Sequence, residues 1–152
     1  MTFLVQQHAD ATDLHELRRR ILRNNDPAIS VHDSRDLDDD AIHLSIVRDE
    51  LVVVCGSLYS SHSPLDDAVA SYQLRYMAAD ESVRGSGGGR ALLERAGDIV
   101  RTRGVEHLWA NARDSALGFY LATGWTTVSG SEHLSKETQL PHTVVVKSLR
   151  KK

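Results

Sequence analysis

The sequence RGSGGGRALLERAGDIV, residues 84–100, places four glycines directly before a run with helical spacing. Its apolar side chains recur three and four residues apart, as on one face of an amphipathic helix. We predict a helix from about residue 88 to 102, closed by Gly104 in a left-handed C-cap. Residues 72–77 alternate in the manner of a strand. The pattern therefore predicts a strand, a glycine-rich turn and a helix in immediate succession.

This glycine-rich turn is typical of an anion site, because the first amides of a helix have no intrahelical partner and glycines let a phosphate approach closely. A flexible loop is the alternative, but four glycines would then weaken the helix for no gain. The predicted phosphate-binding residues are Arg84, Gly85, Ser86, Gly87, Gly88, Gly89 and Arg90. Neither NTP hydrolysis nor NAD binding is supported, because Gly89 lacks a following Lys and position 90 lacks the third glycine of the dinucleotide motif.

Elsewhere the spacing of apolar residues predicts helices at residues 13–23 and 115–123, and strands at residues 2–5, 42–47, 51–59, 72–77, 107–111, 125–129 and 143–148. Asp13 with Glu16 resembles a capping box for the first helix. Loops are expected at residues 28–40, 60–70 and 130–141. Strands outnumber helices and their order is mixed, which predicts an α+β or mixed α/β fold with one parallel crossover at the glycine-rich turn.

Composition narrows the class of protein. The chain has 152 residues and a formal net charge of −3, which predicts one domain over residues 1–152 and argues against a nucleic-acid-binding face. The single cysteine, Cys55, excludes an intramolecular disulfide and predicts a buried core residue in a cytoplasmic protein. Residues 1–10 lack the features of a signal peptide, and the longest apolar run, residues 51–55, is far too short to span a membrane.

Two groups of charged residues in the N-terminal half are interpreted as solvent-exposed rather than functional. The acidic residues Asp36, Asp38, Asp39 and Asp40 are interpreted as a solvated loop rather than a metal or cation site. The arginines Arg18, Arg19, Arg20 and Arg23 are expected on the solvated face of the first helix. No spacing of the eight histidines supports a metal site, so none is predicted.

Several motifs stand in a recognisable order between residues 72 and 129. They are the strand YQLRYMAA at 72–79, R-x-x-G-x-G at Arg84, Gly87 and Gly89, the strand HLWAN at 107–111, and NARDSALGFY at 111–120 with Gly-Trp at 124–125. Together they resemble the GNAT superfamily of N-acetyltransferases, in a bacterial branch of unassigned substrate. The resemblance implies a central twisted mixed β-sheet of about six to seven strands flanked by about four helices. Trp125 stands where the family usually has Phe.

The resemblance implies acetyl-CoA as cosubstrate, without a metal, and direct attack by an amine. Beyond the turn, the residues implied to contact the cosubstrate are Met77, Ala78, Ala79, Asn111 and Tyr120. The pantetheine arm would lie between two diverging strands, and a backbone amide near Met77 would stabilise the developing oxyanion. Tyr120 would hydrogen-bond or protonate the leaving thiolate. The alternative is that Tyr120 is only a core residue of its helix.

The acceptor side is predicted from three further residues, Gln73, Arg75 and His142. Gln73 occupies a position where some relatives carry a carboxylate base, and it cannot act as one, so a water chain or His142 would replace it. Arg75, which we expect to share a face with Gln73 and Met77, would favour an acceptor with a carboxylate. A salt bridge inside the fold is the alternative role for Arg75. One arginine of the first helix would reach this pocket, because family members often wall off the acceptor with that helix.

The sequence thus predicts an N-acetyltransferase that acetylates the primary amine of a small molecule. Two alternatives stay open. One is a non-catalytic module that binds acyl-CoA, and the other is an acetyltransferase for protein N-termini or lysines. Neither a nucleic acid nor a membrane is expected as partner, and a homodimer would be compatible with the resemblance.

Overall fold

The computed structural model describes residues 3–150 and is built around one mixed β-sheet. Its strands are β1 (Val5–His8), β2 (Ile42–Arg48), β3 (Leu51–Ser63), β4 (Asp66–Ala79), β5 (His107–Arg113), β6 (Thr126–Thr127), β7 (His133–Leu134) and β8 (Pro141–Ser148). They lie in the order β1-β2-β3-β4-β5-β8-β6, and β7 also pairs with β8. Only β4 and β5 are parallel neighbours in this part of the chain, which confirms the predicted crossover.

Three α-helices accompany the sheet within residues 3–150. They are α1 (His15–Leu17), α2 (Gly88–Thr102) and α3 (Leu117–Ala122). The α+β class and the mixed sheet are confirmed, with eight strands where about six to seven were expected and three α-helices where about four were expected. None of these helices combines the length and the apolar character that a membrane crossing requires.

The first helix differs in detail from its prediction. Residues 12–22 form one helical segment that starts as a 3-10 turn (Thr12–Leu14) and ends as a π-helix (Arg18–Leu22). The expected capping box is wrong, because Ala11 is the N-cap residue and Asp10 Oδ1 instead accepts the amide of Thr12 at 2.9 Å. The first strand starts at Val5 rather than before it. Thr2, where that strand was expected to begin, lies outside the described residues.

The loop expected at residues 60–70 is a hairpin. β3 continues to Ser63 and β4 starts at Asp66, with Ser60 opposite Tyr72. Both faces of this end of the hairpin are largely exposed, so no apolar alternation marked it in the sequence. Pro64 lies in the turn itself, where its missing N–H costs no ladder hydrogen bond.

The two faces of the sheet carry different layers. Helix α2 buries Leu92, Ala96 and Val100 against sheet residues such as Leu44 and Leu74, and this layer holds most of the core. Each fully buried Leu or Val contributes about 1.5–3 kcal/mol relative to an exposed one. The spacing that predicted α2 is therefore the spacing of its core contacts. Gly104 ends the helix at a φ of +77°, as the predicted left-handed cap requires.

The other face is covered by the N-terminal helical segment. Leu14 and Leu17 pack there with Cys55 and Ala78. Cys55 is fully buried, and its thiol donates to the carbonyl of Tyr76 at 3.4 Å. Burial raises the pKa of the thiol to about 12, which confirms Cys55 as an inert core residue.

The parallel pair β4 and β5 opens along its length. Pairing is confined to Tyr72–Leu74 against Leu108–Ala110. Beyond it, β4 bulges, because its register against β3 shifts between the Ser57–Arg75 and Cys55–Ala78 pairs. Tyr76 sits in the bulge at a φ of +57°, a conformation that costs a bulky residue about 1–3 kcal/mol. The carboxyl ends of the two strands therefore separate, as was expected for the place of the pantetheine arm.

Candidate active site

A cavity of about 1050 Å³ lies where β4 and β5 separate, between the start of α2 and the N-terminal helical segment. Most of the residues predicted for the site line it, namely Gln73, Arg75, Met77, Ala78, Ala79, Arg84, Gly85, Gly87, Gly88, Gly89, Arg90, Asn111, Tyr120 and His142. Ser86 is not part of the lining, because its amide and its hydroxyl both turn back to the carbonyl of Val83. The fold thus brings the two predicted groups, turn residues and acceptor residues, to one cavity.

The glycine-rich turn presents backbone amides to this cavity. Gly85 and Gly87 have φ values of +75° and +94°, which only glycine adopts without strain, and Gly87 is the N-cap of α2. The first α-helical hydrogen bond runs from the amide of Ala91 to the carbonyl of Gly87. Within residues 3–150, the amides of residues 88–90 therefore have no carbonyl partner one turn earlier. Such amides, at the positive end of a 15-residue helix, fit an anionic group.

Two glycines of the turn are also closely packed against neighbouring elements. A Cβ at Gly88 would lie 3.2 Å from Val54 Cγ2, and a Cβ at Gly89 would lie 3.1 Å from Phe119 Cζ. Both distances are shorter than an ordinary van der Waals contact. The glycines therefore let the start of α2 sit directly on β3 and α3, and this close packing fixes the direction in which the free amides point.

The arginines on either side of the glycine-rich turn donate hydrogen bonds to backbone carbonyls of neighbouring elements. Arg84 donates from Nε to the carbonyl of Ala79 at 3.1 Å, across the end of β4. Arg90 donates from Nη2 to the carbonyl of Ala122 at 3.2 Å, at the end of α3. Both side chains line the cavity, so their positive charge adds to that of the helix end. Arg84 thereby engages the carbonyl of Ala79 at this end of β4, whereas Ala78 is in register with Cys55 of β3.

The bulge in β4 separates residues that the sequence placed on one face. Gln73 and Arg75 lie on the face of the N-terminal helical segment, in register with Tyr59 and Ser57. Met77 lies on the α2 face, where its side chain is close to Gly56 and Gly89. The expectation that Met77 shares a face with Gln73 and Arg75 is therefore wrong. The extra residue of a bulge reverses the alternation that follows it.

Tyr120 is positioned by aromatic packing. Its ring makes edge-to-face contacts with Phe119 and Trp125, at centroid distances of 5.4 and 5.1 Å, and only 5% of the residue is exposed. Its hydroxyl forms no hydrogen bond with any residue between 3 and 150, and burial alone raises its pKa. The phenol is thus protonated at neutral pH, and it lies in the cavity wall as a hydrogen-bond donor.

Arg75 is held by carboxylates of the fold. Its Nη1 contacts Asp33 Oδ2 at 2.8 Å, and its Nη2 contacts Glu137 Oε1 at 3.1 Å. Burial by itself raises the pKa of Asp33, but hydrogen bonds from Arg35 and Arg75 lower it below its ordinary value. Of the two roles considered for Arg75, the internal salt bridge is therefore the one that the structure contains.

His142, predicted for the acceptor, and Asn111, predicted for the cosubstrate, line the same cavity. Nδ1 of His142 lies 2.8 Å from the carbonyl of Leu140, and since a carbonyl only accepts, this nitrogen carries the proton. Burial lowers the pKa of His142, so the ring is neutral near pH 7 and its Nε2 is a proton acceptor. Asn111 is exposed on β5 in the same cavity, and Gln73, which is buried, lies at its inner wall.

Arg18 and Asp36 form a buried ion pair beside the cavity, which corrects two expectations. The guanidinium of Arg18 is fully buried rather than solvated, and its Nη1 lies 2.9 Å from Asp36 Oδ2. Asp36 also accepts the hydroxyl of Tyr59, whereas residues 38–40 of the acidic cluster are exposed as expected. The guanidinium stacks on the ring of Tyr76 at 4.0 Å, so the ion pair supports the bulge in β4.

One group of possible metal ligands lies next to this pair. Single ligand atoms of His15, His32 and Asp36 fall within 4.8 Å of one another. The carboxylate of Asp36 is already taken by Arg18 and by the hydroxyl of Tyr59. A cation at this point would stand beside the guanidinium, so the ion pair accounts for Asp36 better than a metal does.

Two charged cavity residues near the predicted acceptor residues were not singled out by the sequence motifs. Arg113 ends β5, and Glu137 lies between β7 and β8. Arg113 follows the two-residue alternation of β5 from Asn111, and that spacing was the one available signal. Glu137 stood in a segment of 12 residues read as a loop, which gave no face or direction. Arg23, in contrast, is the arginine of the first helix that reaches the cavity, as one of them was expected to do.

The comparisons with known proteins agree with this geometry. The model of the acetyltransferase (GNAT) family matches residues 10–125. The uncharacterized N-acetyltransferase YitI of Bacillus subtilis is 29% identical over 142 residues, which is 91% of each chain. Escherichia coli ElaA has the same fold, with a TM-score of 0.75 at 17% identity over 96% of this chain and 99% of its own. An aminoglycoside 6'-N-acetyltransferase solved with coenzyme A gives a TM-score of 0.69 at 12% identity over 98% of both chains. With the family model covering most of its length, the chain belongs to the GNAT acetyltransferase family.

Proposed function

We propose that this protein moves the acetyl group of acetyl-CoA to the primary amine of a small molecule by direct attack. One observation carries the proposal. The unpartnered amides at the start of α2, the separated strands β4 and β5, and the buried phenol of Tyr120 all face one cavity of about 1050 Å³. A protein that bound only an amine would need neither the unpartnered amides nor the gap between the two strands.

The turn fits the pyrophosphate of acetyl-CoA. The amides of Gly88, Gly89 and Arg90 would donate to its oxygens, and the helix dipole would favour their charge. Backbone groups of Met77 and Ala79 would pair with the pantetheine arm as an added strand. When bound, acetyl-CoA supplies a thioester whose carbonyl carbon accepts the amine nitrogen while the carbon–sulfur bond breaks and CoA leaves as its thiolate.

Tyr120 and the amide of Met77 would act on the charges that develop. A backbone amide near Met77 would donate to the carbonyl oxygen as that oxygen becomes negative. Because burial raises the pKa of Tyr120, full proton transfer from its phenol to a thiolate is unfavourable. Its hydroxyl would therefore stabilise the thiolate chiefly through a hydrogen bond, with the proton following from solvent.

The proton of the amine needs a separate acceptor. Gln73 has no basic atom, but His142 is neutral near pH 7 and has its Nε2 free to accept. His142 would take the proton directly or through a water molecule and release it to solvent. A loss of activity as the pH falls through the lowered pKa of His142 would follow from this role.

The test combines binding and turnover on the full chain. We expect CoA to bind in a calorimetric titration, and acetyl-CoA to release CoA only when a small primary amine is added and acetylated. Tight CoA binding with no turnover on any amine would support the non-catalytic module instead. Turnover on peptides alone would make the protein a protein acetyltransferase. Absence of CoA binding would refute the proposed function itself.

A further inference from the structure

Two arginines of the cavity carry charges that no carboxylate balances. Arg23 is buried, with 6% of its surface exposed, and Arg113 is half-buried. Neither makes an ion pair with any carboxylate between residues 3 and 150, whereas Arg18 and Arg75 in the same region both do. Burial lowers the pKa of Arg23 and of Arg113; the charges of Arg113 and Arg75 lower that of Arg23 further, whereas Tyr76 and Glu137 act in the opposite direction.

The two guanidinium groups converge on one point. Arg113 donates from Nη2 to the carbonyl of Leu22 at 2.5 Å, and Arg23 donates from Nη1 to the same carbonyl at 3.2 Å. The Nε of Arg23 is held by the carbonyl of Ser30 at 3.2 Å. Two like charges held together by neutral carbonyls repel each other, and burying such charges is costly unless an anion joins them.

The guanidinium nitrogens that have no partner indicate which kind of anion could bind between Arg23 and Arg113. Arg23 keeps Nη2, and Arg113 keeps Nε and Nη1, with no partner among the described residues. Nη2 of Arg23 and Nη1 or Nε of Arg113 would each donate one charge-assisted hydrogen bond to a carboxylate placed between the two side chains. A carboxylate has two oxygens, so one donor from each arginine is enough to hold it between them.

Their place in the cavity is on the acceptor side. The guanidinium carbon of Arg23 lies 5.8 Å from the ring centroid of Tyr76, the residue before the strand edge proposed to hold the thioester. Arg113 is directly opposite His142 across the β5–β8 pair. Glu137, a cavity carboxylate nearby, is paired with Arg75; it attracts Arg23 electrostatically but forms no ion pair with Arg23 or Arg113.

We propose that Arg23 and Arg113 bind the carboxylate of the acceptor, so that the substrates of this protein are amines that also carry a carboxylate, as free amino acids do. This inference rests on the proposed acetyl transfer for the meaning of acceptor. It moves the role first considered for Arg75 to two arginines whose charge is not already balanced.

The test uses matched ligands that keep the amine and change the anion. CoA release is measured with leucine, phenylalanine and glutamate, and with the primary amide and the decarboxylated amine of leucine and phenylalanine. Binding of the same compounds to the CoA-loaded protein is measured by calorimetry. The variants are Arg113→Gln and Arg23→Gln, with Arg19→Gln as control, since Arg19 lies on the same helical segment outside the cavity.

We expect the amino acids to exceed their amides in kcat/KM or in affinity by about 10- to 100-fold, as for a charge-assisted hydrogen bond. Arg113→Gln should remove this preference while Arg19→Gln keeps it, and CoA affinity should stay the same in all three variants. Equal use and equal binding of acids and amides would overturn the inference and leave the acetyl transfer standing. Selective binding of the acids without any CoA release would keep the inference and refute the transfer instead.

Discussion

The buried charge of Asp36 is the feature whose removal should cost this protein the most stability. Its carboxylate contacts the fully buried Arg18 twice, through Oδ2 at 2.9 Å and Oδ1 at 3.3 Å. It also accepts the hydroxyl of Tyr59 and the amide of Asp33. Asp36→Asn keeps the shape of the side chain and removes its charge, so Arg18 would be left buried with a neutral partner.

The size of the effect follows from these contacts. Removing one partner of a buried ion pair costs about 3–5 kcal/mol, because the other charge remains out of water. Asn can still accept one of the bonds from Arg18, so we expect the lower end, about 3 kcal/mol. For a domain of this size each kcal/mol shifts Tm by about 2–4 °C, which places the Tm of the variant about 6–12 °C below wild type.

The pH dependence supplies a second signature. Burial by itself raises the pKa of Asp36, but the hydrogen bonds from Arg18 and Tyr59 outweigh it, so the folded-state pKa is below the ordinary value of 3.8. A carboxyl with a lowered folded pKa stabilises the protein above its unfolded pKa, and this contribution is lost as the pH falls toward the folded pKa. The gap in stability between wild type and Asp36→Asn should therefore be full at pH 7 and shrink below about pH 4.

Urea unfolding followed by circular dichroism at pH 7 and at several values below pH 5 measures the free energy of unfolding and its pH dependence. Thermal unfolding at pH 7 gives the shift in Tm. Asp39→Asn is the matched control, because Asp39 is exposed in the same segment, and it should stay within about 0.5 kcal/mol of wild type. The reasoning fails if Asp36→Asn is as stable as Asp39→Asn, or if the gap between wild type and Asp36→Asn persists unchanged at pH 3.

Three further outcomes are expected. Tyr120→Phe should lower kcat/KM for acetyl transfer by about 100-fold or more and leave CoA affinity within about twofold, because the ring contacts remain and only the hydroxyl is lost; unchanged steady-state kinetics would remove its role. Gly87→Asp should abolish CoA binding in calorimetry, since it puts a negative charge beside the free amides, whereas Gly104→Asp, with a φ of +77° at the other end of α2, carries similar backbone strain and should bind CoA normally. Iodoacetamide at pH 8 should leave Cys55 unmodified in the folded protein and alkylate it in urea, because the thiol is buried and burial raises its pKa to about 12. Mass spectrometry measures the alkylation, and rapid alkylation of the folded protein would contradict the place of Cys55 in the core.

Much of the fold and of the cosubstrate side of the cavity could be predicted from the sequence. Helix α2, its glycine-rich start and its left-handed end are properties of residues close together in the chain, so spacing and backbone freedom are enough to predict them. The parallel crossover follows from strand, turn and helix in that order. The elements that the sequence missed, such as the hairpin between Ser60 and Tyr72, have polar side chains on both faces and carry no periodic signal.

Which charged side chains form pairs could be seen only in the tertiary structure. Arg75 pairs with Asp33 and Glu137, which are 42 and 62 residues away, and Arg113 contacts the carbonyl of Leu22 across 91 residues. A bulge of one residue in β4 then determines which side chains face the N-terminal helical segment. The place where we propose that a phosphate-bearing cosubstrate binds could therefore be predicted from the sequence, because it is made of neighbouring amides. Which arginines lack a carboxylate partner among the described residues depended on strand order and register, because a charge is balanced by whatever the fold brings beside it.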